Sequence, residues 1–346
     1  MIENYEDMVE PKFLTYGQMA NGNFGYVAGQ VEITTECFQR CPHCLSWQEY
    51  ARKEQKYHWP LDRFQDLCME LSRDHPHFRW LSLTGGDPPR NPEFDDMLDW
   101  FCVTKAKAGF KFQLQLHTPL VHKFSSRRYR ESVGRIRVSL DAIRQGTYKS
   151  MRGMDIDPRT ILDRIGNLDH PHLSTFTVVT EENLDEMYEL LSVTNAYRKY
   201  IKKCTFFPVM QQKELSPEFW RRYVALQHIA ETEFEIPVDF CGNDNTASFI
   251  NSDAAKPVPC YAKKLSFHMK VDGSVYPCCL IGGEALNTVE MFRQGMWPRD
   301  SLLHLQSENP GCAYFKNSPC LTTCQWKQLQ LNLAGYVASR YQLHMP

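Results

Sequence analysis

Three cysteines stand close together near the start of the chain, and their thiols are the groups best suited to chemistry. Cys37, Cys41 and Cys44 fall within eight positions with the spacing Cys-x3-Cys-x2-Cys. Three thiolates can hold three corners of a cubane iron–sulfur cluster and leave the fourth iron open to a small molecule. The spacing therefore predicts an iron site with an open position at which chemistry can start.

The same offsets would also place the cysteines on one face of a helix, or around a zinc ion with His43 as a fourth ligand. Pro42 argues against a helix, because proline cannot donate an amide hydrogen bond and disfavours helical backbone at the preceding residue. Structural zinc sites usually consist of two spaced ligand pairs. We therefore interpret the segment as a loop that folds around an iron–sulfur cluster.

This cysteine spacing, which follows an apolar run typical of a strand, resembles the signature of the radical S-adenosylmethionine (SAM) superfamily. The resemblance implies an enzyme whose 4Fe-4S cluster binds SAM at the open iron. An electron from the reduced cluster then cleaves SAM to methionine and a 5'-deoxyadenosyl radical. The position before the third cysteine is usually aromatic in that family and lies near the adenine. His43 stands there and can still stack on a base.

Composition limits the size and surroundings of the protein. At 346 residues with 42% apolar residues, the chain can bury the core of one large and one smaller domain. The 39 basic and 41 acidic residues form no long run of one sign, so no nucleic-acid partner is expected. The sequence has neither a secretory signal nor an apolar stretch of the roughly 18–20 residues that span a bilayer. We predict a cytoplasmic protein without membrane contact, in which clustered cysteines bind metal.

Strands and helices alternate from the cysteines to about residue 236. The predicted strands are short and apolar or alternating: Tyr26 to Thr34, Trp80 to Leu83, Phe112 to Leu116, Ile136 to Leu140, Thr175 to Val179 and Cys204 to Phe207. Amphipathic helices are predicted after Pro60, after Asn91-Pro92, over Pro158 to Leu168, over Leu184 to Thr194, and from Ser216-Pro217 to about Ala230. The pattern predicts an α/β fold, a partial (β/α)6 TIM-like barrel over residues 1–236.

Parallel barrels carry their chemistry at the carboxyl ends of the strands. The second predicted strand is followed by Gly85, Gly86 and Asp87. This run resembles the Gly-Gly-Glu-Pro segment of the family, which contacts the amino group of SAM; Asp87 replaces the glutamate and leaves that backbone role intact. A tight turn without a ligand is the alternative. His117 and Thr118 end the third strand and are candidates to line the cavity, although a structural histidine is the commoner case.

The fourth predicted strand ends in Ser139 and Asp141, which alternate with apolar residues and so point together towards the barrel mouth. This stretch and Arg152-Gly153 resemble the Ser-Leu-Asp-Gly segment and the following Arg-Gly of a subfamily with C-terminal cluster domains. The resemblance implies that Ser139 and Arg152 contact the SAM carboxylate, a group that a guanidinium grips with two hydrogen bonds. Asn183, after the fifth strand, is either a helix N-cap or a neighbour of the adenosine.

From about residue 237 the alternation stops and cysteines return. The run from Leu265 to Cys279 predicts a β-hairpin that turns at Asp272-Gly273. Cys260-x12-Gly273-x4-Cys278 resembles the opening of the SPASM and twitch domains, which are C-terminal extensions of radical SAM enzymes with auxiliary iron–sulfur clusters. We therefore expect residues 237–346 to form a small cysteine-rich domain of this kind.

A full SPASM domain has further spaced cysteines that hold two clusters, whereas only three cysteines follow in the expected region here. The resemblance thus implies one auxiliary 4Fe-4S cluster, held by Cys260, Cys278, Cys320 and Cys324, with Cys312 as the rival of one of the last two. Structural zinc at this second site is the alternative.

The expected function is that of a radical SAM enzyme that takes a hydrogen atom from a small-molecule or peptide substrate, with net oxidation through the auxiliary cluster. A flavodoxin-like or ferredoxin-like partner would supply the electron. We lean towards a small molecule, because a cysteine loop that begins at residue 37 leaves little room for a peptide-leader domain. One alternative is a peptide or protein side-chain maturase. Another is a non-catalytic iron–sulfur or zinc-stabilised redox or binding protein, which would not need the strand-end segments.

Overall fold

The part of the chain that the structure describes contains one large mixed sheet. The computed structural model describes residues 26–44, 56–122, 126–209, 215–240 and 266–276. Within these ranges the strands are β1 (Ala28–Thr34), β2 (Trp80–Gly85), β3 (Gln113–Thr118), β4 (Val133–Ser139), β5 (Leu173–Val179), β6 (Ile201–Pro208), β7 (Val238–Phe240), β8 (Ser266–Met269) and β9 (Val275–Tyr276).

Helices connect the successive strands from β1 to β7. They are α1 (Leu61–Asp74), α2 (Phe94–Ala108), α3 (Ser126–Ser132), α4 (Gln145–Arg152), α5 (Pro158–Leu168), α6 (Met187–Ala196) and α7 (Pro217–Glu233), with short 3-10 turns at Pro88–Arg90 and Leu184–Glu186. The five predicted helices are confirmed, whereas the sequence did not indicate α3 or α4. Within the described ranges, none of the helices is both long and apolar enough to cross a membrane.

The strand order is β7-β6-β5-β4-β3-β2-β1-β8-β9, and every pairing except β8 with β9 is parallel. The six predicted strands occupy the centre of this order, and the sheet does not close on itself. The predicted partial TIM-like barrel is therefore confirmed. All central strands end at the same edge, which gathers their carboxyl-terminal loops.

The sheet extends past residue 236 on both edges. Strand β7 pairs with β6 and so continues the alternation beyond the position where we expected it to stop. The predicted hairpin is confirmed as β8 and β9, and β8 pairs with β1. Gly29 of β1 permits this, because a Cβ there would meet the Phe267 ring at 2.3 Å. The separate domain over residues 237–346 stays a prediction, since most of those residues lie outside the described ranges.

The two faces of the sheet differ in chemistry. Alternate strand residues such as Val31, Leu81 and Ile136 are fully buried in one apolar core with helix residues such as Phe64 and Leu67. The strand residues between them point to the opposite, inner face and are mostly polar. The helices thus cover one face of the sheet, and the other face lines the inside of the partial barrel.

Helix α4 is only eight residues long and ends at Gly153, which adopts the left-handed conformation with φ 63°. A Cβ at Gly153 would lie 2.7 Å from Cβ of Arg40. The close approach brings the C-terminus of α4 against the segment that carries the three cysteines. Arg152, the last helical residue, is therefore placed at the site described next.

Candidate active site around the cysteine loop

The cysteine loop, residues 35–44, follows β1 at the carboxyl edge of the sheet. Its backbone turns at Pro42-His43, and the Cys44 amide donates to the Cys41 carbonyl over 3.1 Å. The loop conformation predicted from Pro42 is therefore confirmed. Cys41 is buried, while Cys37 and Cys44 are half-buried. The Gln39 amide donates to Sγ of Cys37 over 3.4 Å.

The three thiols fit an iron–sulfur cluster by the chemistry of their donors, because soft sulfur ligands select iron–sulfur clusters. Within the described ranges, no group of three or more His, Cys, Asp or Glu side chains is arranged so that it could hold a metal ion. Burial raises the pKa of Cys37 to about 12 and raises that of Cys41, where the nearby Arg152 opposes the effect. Metal binding removes thiol protons. The role of the three thiols as cluster ligands stays a prediction.

The end of β2 holds one side of the cysteine loop by close backbone packing. The amides of Gly86 and Asp87 donate to the carbonyls of Thr34 and Glu36 over 2.7 and 2.8 Å. A Cβ at Gly85 would lie 2.3 Å from the Thr34 carbonyl oxygen, and one at Gly86 would lie 2.2 Å from that of Glu36. Both glycines are therefore required to seat the loop. Their contact with the SAM amino group stays a prediction.

The Asp87 carboxylate lies inside the protein, with 1% of the residue exposed. Thr118 Oγ1 donates to its Oδ1 over 2.8 Å, and His122 Nε2 is 3.7 Å from its Oδ2. Burial raises the pKa of Asp87 to about 6, against the opposing effects of the Thr118 hydrogen bond and the Arg90 charge. Asp87 and Thr118 thus join the ends of β2 and β3.

Buried charges hold the opposite side of the loop, beyond the end of β4. Asp141 is fully buried, and its Oδ1 accepts a hydrogen bond from the Val178 amide over 2.8 Å. Its Oδ2 lies 2.6 Å from Arg152 Nε and 3.4 Å from His43 Nε2. The contact with Arg152 is an ion pair without the alignment of a hydrogen bond. Burial alone would raise the pKa of Asp141, but the charge of Arg152 and the adjacent His43 outweigh it and lower that pKa.

Arg152 reaches from Asp141 into the cysteine loop. Its Nη1 lies 3.4 Å from Gln39 Oε1 and 3.7 Å from Cys41 Sγ, and its carbonyl accepts from the Arg40 amide over 2.9 Å. Only 7% of the residue is exposed. The structure therefore assigns this guanidinium to the protein interior, and its predicted contact with the SAM carboxylate stays a prediction.

Ser139 and Asn183 occupy different surroundings at the same edge. Ser139 is half-buried on the inner face of β4, as its alternation predicted. Asn183 is fully buried, and its Nδ2 donates to the carbonyls of Asp141 and Val178 over 2.7 and 2.8 Å. Asn183 occupies the predicted N-cap position of the 3-10 turn that follows, but its side chain makes no capping hydrogen bond there. Asn183 instead joins β4 to β5, and its place near the adenosine stays a prediction.

Sequence reasoning missed Gln39 and Tyr148. Gln39 is buried, and its Nε2 donates to Tyr148 Oη over 2.8 Å. Burial raises the pKa of Tyr148 to about 12, so its hydroxyl is protonated at neutral pH. The position of Gln39 between two of the cysteines was the only signal, because an isolated glutamine has no distinctive spacing. The five cysteines predicted to hold an auxiliary cluster lie outside the described residues: Cys260, Cys278, Cys312, Cys320 and Cys324.

No protein-family model and no curated protein matches the sequence. Solved structures do resemble this one. SuiB from Streptococcus suis, bound to its precursor peptide SuiA, has a TM-score of 0.62 at 13% identity, covering 90% of this chain and 73% of SuiB. A histidine-tagged form of anSMEcpe with bound AdoMet, which is SAM, has a TM-score of 0.61 at 14% identity, covering 91% of this chain and 94% of that one.

Both neighbours are radical SAM enzymes. At these identities the likeness shows the fold, so the chain has the fold of radical SAM enzymes. The superposition covers nine-tenths of the chain, which is much more than the short cysteine motif. The shared fold and the cysteine loop are thus two separate observations.

Proposed function

We propose that the protein is a radical SAM enzyme. The observation that carries the proposal is the place of the three-cysteine loop, at the carboxyl edge of a partial barrel that shares the fold of SuiB and anSMEcpe. Cys37, Cys41 and Cys44 would hold the 4Fe-4S cluster. When bound, cluster and SAM supply a 5'-deoxyadenosyl radical that takes a hydrogen atom from the substrate.

The residues of the chain have three tasks in this reaction. Gly85 and Gly86 seat the loop on β2, and Arg152 with Asp141 holds it from the side of β4. Ser139 is the half-buried hydroxyl at the end of β4 that would bind the SAM carboxylate. The buried position of Cys41 keeps water from one side of the cluster. A flavodoxin-like or ferredoxin-like protein would deliver the electron.

Two substrate classes follow from different observations. The sequence favoured a small molecule. The structural neighbours favour a peptide, since SuiB was crystallised with its precursor peptide SuiA and anSMEcpe with the Cp18Cys peptide. A peptide or protein side-chain maturase, which oxidises or crosslinks its substrate, is therefore the second candidate function.

An auxiliary 4Fe-4S cluster forms part of the proposal. The hairpin between Cys260 and Cys278 is fixed to the barrel, because β8 pairs with β1 and Trp59 Nε1 donates to the Val271 carbonyl over 3.0 Å. Two of the proposed ligands flank this hairpin in sequence. A cluster there would take an electron from the substrate radical and so produce a net oxidation. Zinc is the alternative occupant.

The decisive experiment measures 5'-deoxyadenosine. Anaerobically reconstituted protein, mixed with SAM and dithionite, is expected to release 5'-deoxyadenosine, and Cys41→Ala is expected to abolish the release. Cys102→Ala is the matched control, because Cys102 lies on α2 away from the loop. Absence of release from the wild-type protein under every reducing condition would contradict the proposal and favour a non-catalytic redox or binding protein.

Iron analysis tests the auxiliary cluster separately. In a variant with alanine at Cys37, Cys41 and Cys44, about four irons per chain are expected to remain, which corresponds to one four-iron cubane. If this variant retains zinc and no iron, the second site is a structural zinc site and not an auxiliary cluster. That outcome leaves the first cluster and the radical chemistry unaffected.

A further inference from the structure

The inner face of the partial barrel carries a row of polar side chains. His117, Arg137, Ser174 and Lys203 are neighbours across β3, β4, β5 and β6, one from each strand. Residues directly opposite in adjacent parallel strands point to the same side of the sheet. The buried residues Ile136 and Val138 flank Arg137 in sequence and lie in the core on the other side. The Arg137 side chain therefore extends into the barrel.

Most charges on this face have an identified contact. Glu32 lies 3.2 Å from His268, and Lys203 lies 2.5 Å from Asp239. Arg135, two residues before Arg137, places its guanidinium 4.9 Å from the centre of the Trp80 ring. Arg137 differs, because no carboxylate within the described residues forms an ion pair with it. It is half-buried, so its charge has lost part of its hydration without a compensating partner.

The neighbours of Arg137 add polarity without adding a second charge. His117 is its partner in the register of β3 and β4. Burial and the positive charge of Arg137 lower the pKa of His117 to about 3, so its ring is neutral at pH 7. The Gln115 side-chain nitrogen contacts His117 Nε2. The cluster thus presents one positive charge together with neutral hydrogen-bonding groups.

We propose that Arg137 binds a carboxylate of the substrate inside the barrel, with His117 and Gln115 as the adjoining polar groups. A singly charged carboxylate matches one guanidinium, which can hold it with two parallel hydrogen bonds. A phosphate dianion would usually require more than one positive group. The inference rests on the proposed function, since it names the substrate class of that enzyme.

The position of Arg137 also orients the substrate. Arg137 precedes Ser139 by two residues on the same face, so it lies about 6–7 Å deeper in the barrel at roughly 3.3 Å per residue. Ser139 is at the strand edge where we propose that SAM binds. The substrate carboxylate therefore enters first, and the carbon that loses its hydrogen lies between Arg137 and the mouth.

A pair of matched probes tests the subsite. Glutarate carries a carboxylate at each end, and either end can pair with Arg137. Its diamide, glutaramide, has nearly the same shape without charge. Calorimetry on the anaerobically reconstituted full-length protein is expected to show glutarate binding and at least about tenfold weaker glutaramide binding, since charge-assisted hydrogen bonds supply this difference. Equal binding of both probes, or no glutarate binding, would overturn the subsite.

Two arginine variants on one strand identify the residue responsible. Arg137→Met is expected to weaken glutarate binding at least about tenfold, and Arg135→Met less than about twofold, because Arg135 already contacts the Trp80 ring whereas Arg137 has no ion pair with a described carboxylate. Equal losses in both variants would contradict the assignment. If Arg137→Met does not fold, Arg137→Lys replaces it. Lysine keeps the charge but loses the paired geometry, so intermediate affinity is expected and unchanged affinity would count against the guanidinium.

Competition with SAM separates this subsite from the cofactor site. Glutarate is expected to bind equally well with and without saturating SAM. If SAM displaced glutarate, Arg137 would belong to the cofactor site and the substrate assignment would fail. The two proposals fail separately: glutarate binding without 5'-deoxyadenosine release removes the radical function, and release without glutarate binding removes the subsite.

Discussion

The cysteine loop is held on two sides by different means. On the side of β2, Gly85 and Gly86 pack against the carbonyls of Thr34 and Glu36, and the contact depends on the absence of side chains. On the side of β4, a buried ion pair between Asp141 and Arg152 reaches Cys41. The contact with β2 is therefore sensitive to added side-chain volume, and the contact beyond β4 is sensitive to the loss of a charge.

Each side also contains a buried aspartate, and the pKa values of the two are shifted in opposite directions. Burial raises the pKa of Asp87 to about 6, because its nearest donors are neutral or distant. Burial acts on Asp141 as well, but Arg152 at 2.6 Å outweighs it and lowers the pKa. Burial alone therefore does not determine the charge state of a strand-end carboxylate, because the distance to the nearest cation also shifts its pKa.

The largest effect is expected from Arg152→Met. This change leaves Asp141 charged and buried without its cation, and removal of one partner of a buried pair costs about 3–5 kcal/mol. We expect the free energy of unfolding in urea to fall by that amount and the iron content after reconstitution to fall with it. Arg144→Met is the control, because Arg144 pairs with Glu189 at the surface and its loss should leave both measurements unchanged.

A double variant sharpens this prediction. Asp141→Asn combined with Arg152→Met removes both charges, so part of the stability lost in the single variant should return. If the double variant were less stable by the sum of the two single effects, the ion pair would not be the interaction that holds the loop.

A smaller loss is expected from Gly86→Ala on the other side. The added Cβ would lie 2.2 Å from the Glu36 carbonyl oxygen, so the backbone must move. Overpacking of this kind costs about 2–3 kcal/mol. We expect lower stability in urea and weaker iron loading. Gly146→Ala, where a Cβ meets nothing within 4 Å, is the control and should preserve or slightly raise stability. Equal stability of the two variants would contradict the proposed close packing.

The smallest effect concerns pH and distinguishes the two aspartates. The pKa of Asp87 is about 6 in the folded protein against 3.8 for the ordinary carboxyl, so the folded state holds its proton more tightly than the unfolded state. Stability from this group is present below about pH 4 and is lost as the pH rises through 6; between pH 4 and 7 the loss is on the order of 2 kcal/mol. Asp87→Asn is expected to remove this slope from unfolding curves measured between pH 4 and 7.

Asp141 provides the contrast in the same titration. Its folded pKa is lower than the ordinary value, so its contribution is present above about pH 4 and is lost only as the pH falls through that lower pKa. The free energy of unfolding of Asp87→Asn should therefore still fall as the pH decreases below 4. If Asp87→Asn removed both this acid-induced loss of stability and the pH dependence between pH 4 and 7, Asp87 and Asp141 would not titrate as the structure indicates.

Much of the barrel follows from sequence patterns. The six central strands were predicted because each is short and apolar or alternating, and α5 was predicted with its observed bounds, Pro158–Leu168, since proline opens it and its apolar residues recur at helical spacing. The strands β7 and β8 were not placed in the sheet, because β7 is a three-residue edge strand with one neighbour and β8 pairs with β1, which lies far away in sequence. Helices α3 and α4 were missed because they are short.

The sequence predicted which residues form the site more accurately than it predicted their contacts. The motifs brought together the cysteines, the glycine turn, Ser139, Asp141 and Arg152, and all of these lie at the carboxyl edge. Their partners were not predictable: Gln39 with Tyr148, and Asp87 with Thr118. Each of these pairs joins different loops or strands, and no local spacing encodes such a contact.

The sequence by itself determined the local order of this protein: the cysteine spacing, the loop imposed by Pro42, and the strand periodicity that directs polar residues to one face. These depend on neighbours along the chain. Only the tertiary structure decided which charges are compensated. Arg152 and Arg137 are both arginines of the same barrel, yet Arg152 lies 2.6 Å from Asp141 while Arg137 faces the interior without an ion pair among the described residues. Electrostatic energy depends on distance and burial, which the fold sets after the sequence has set the charges.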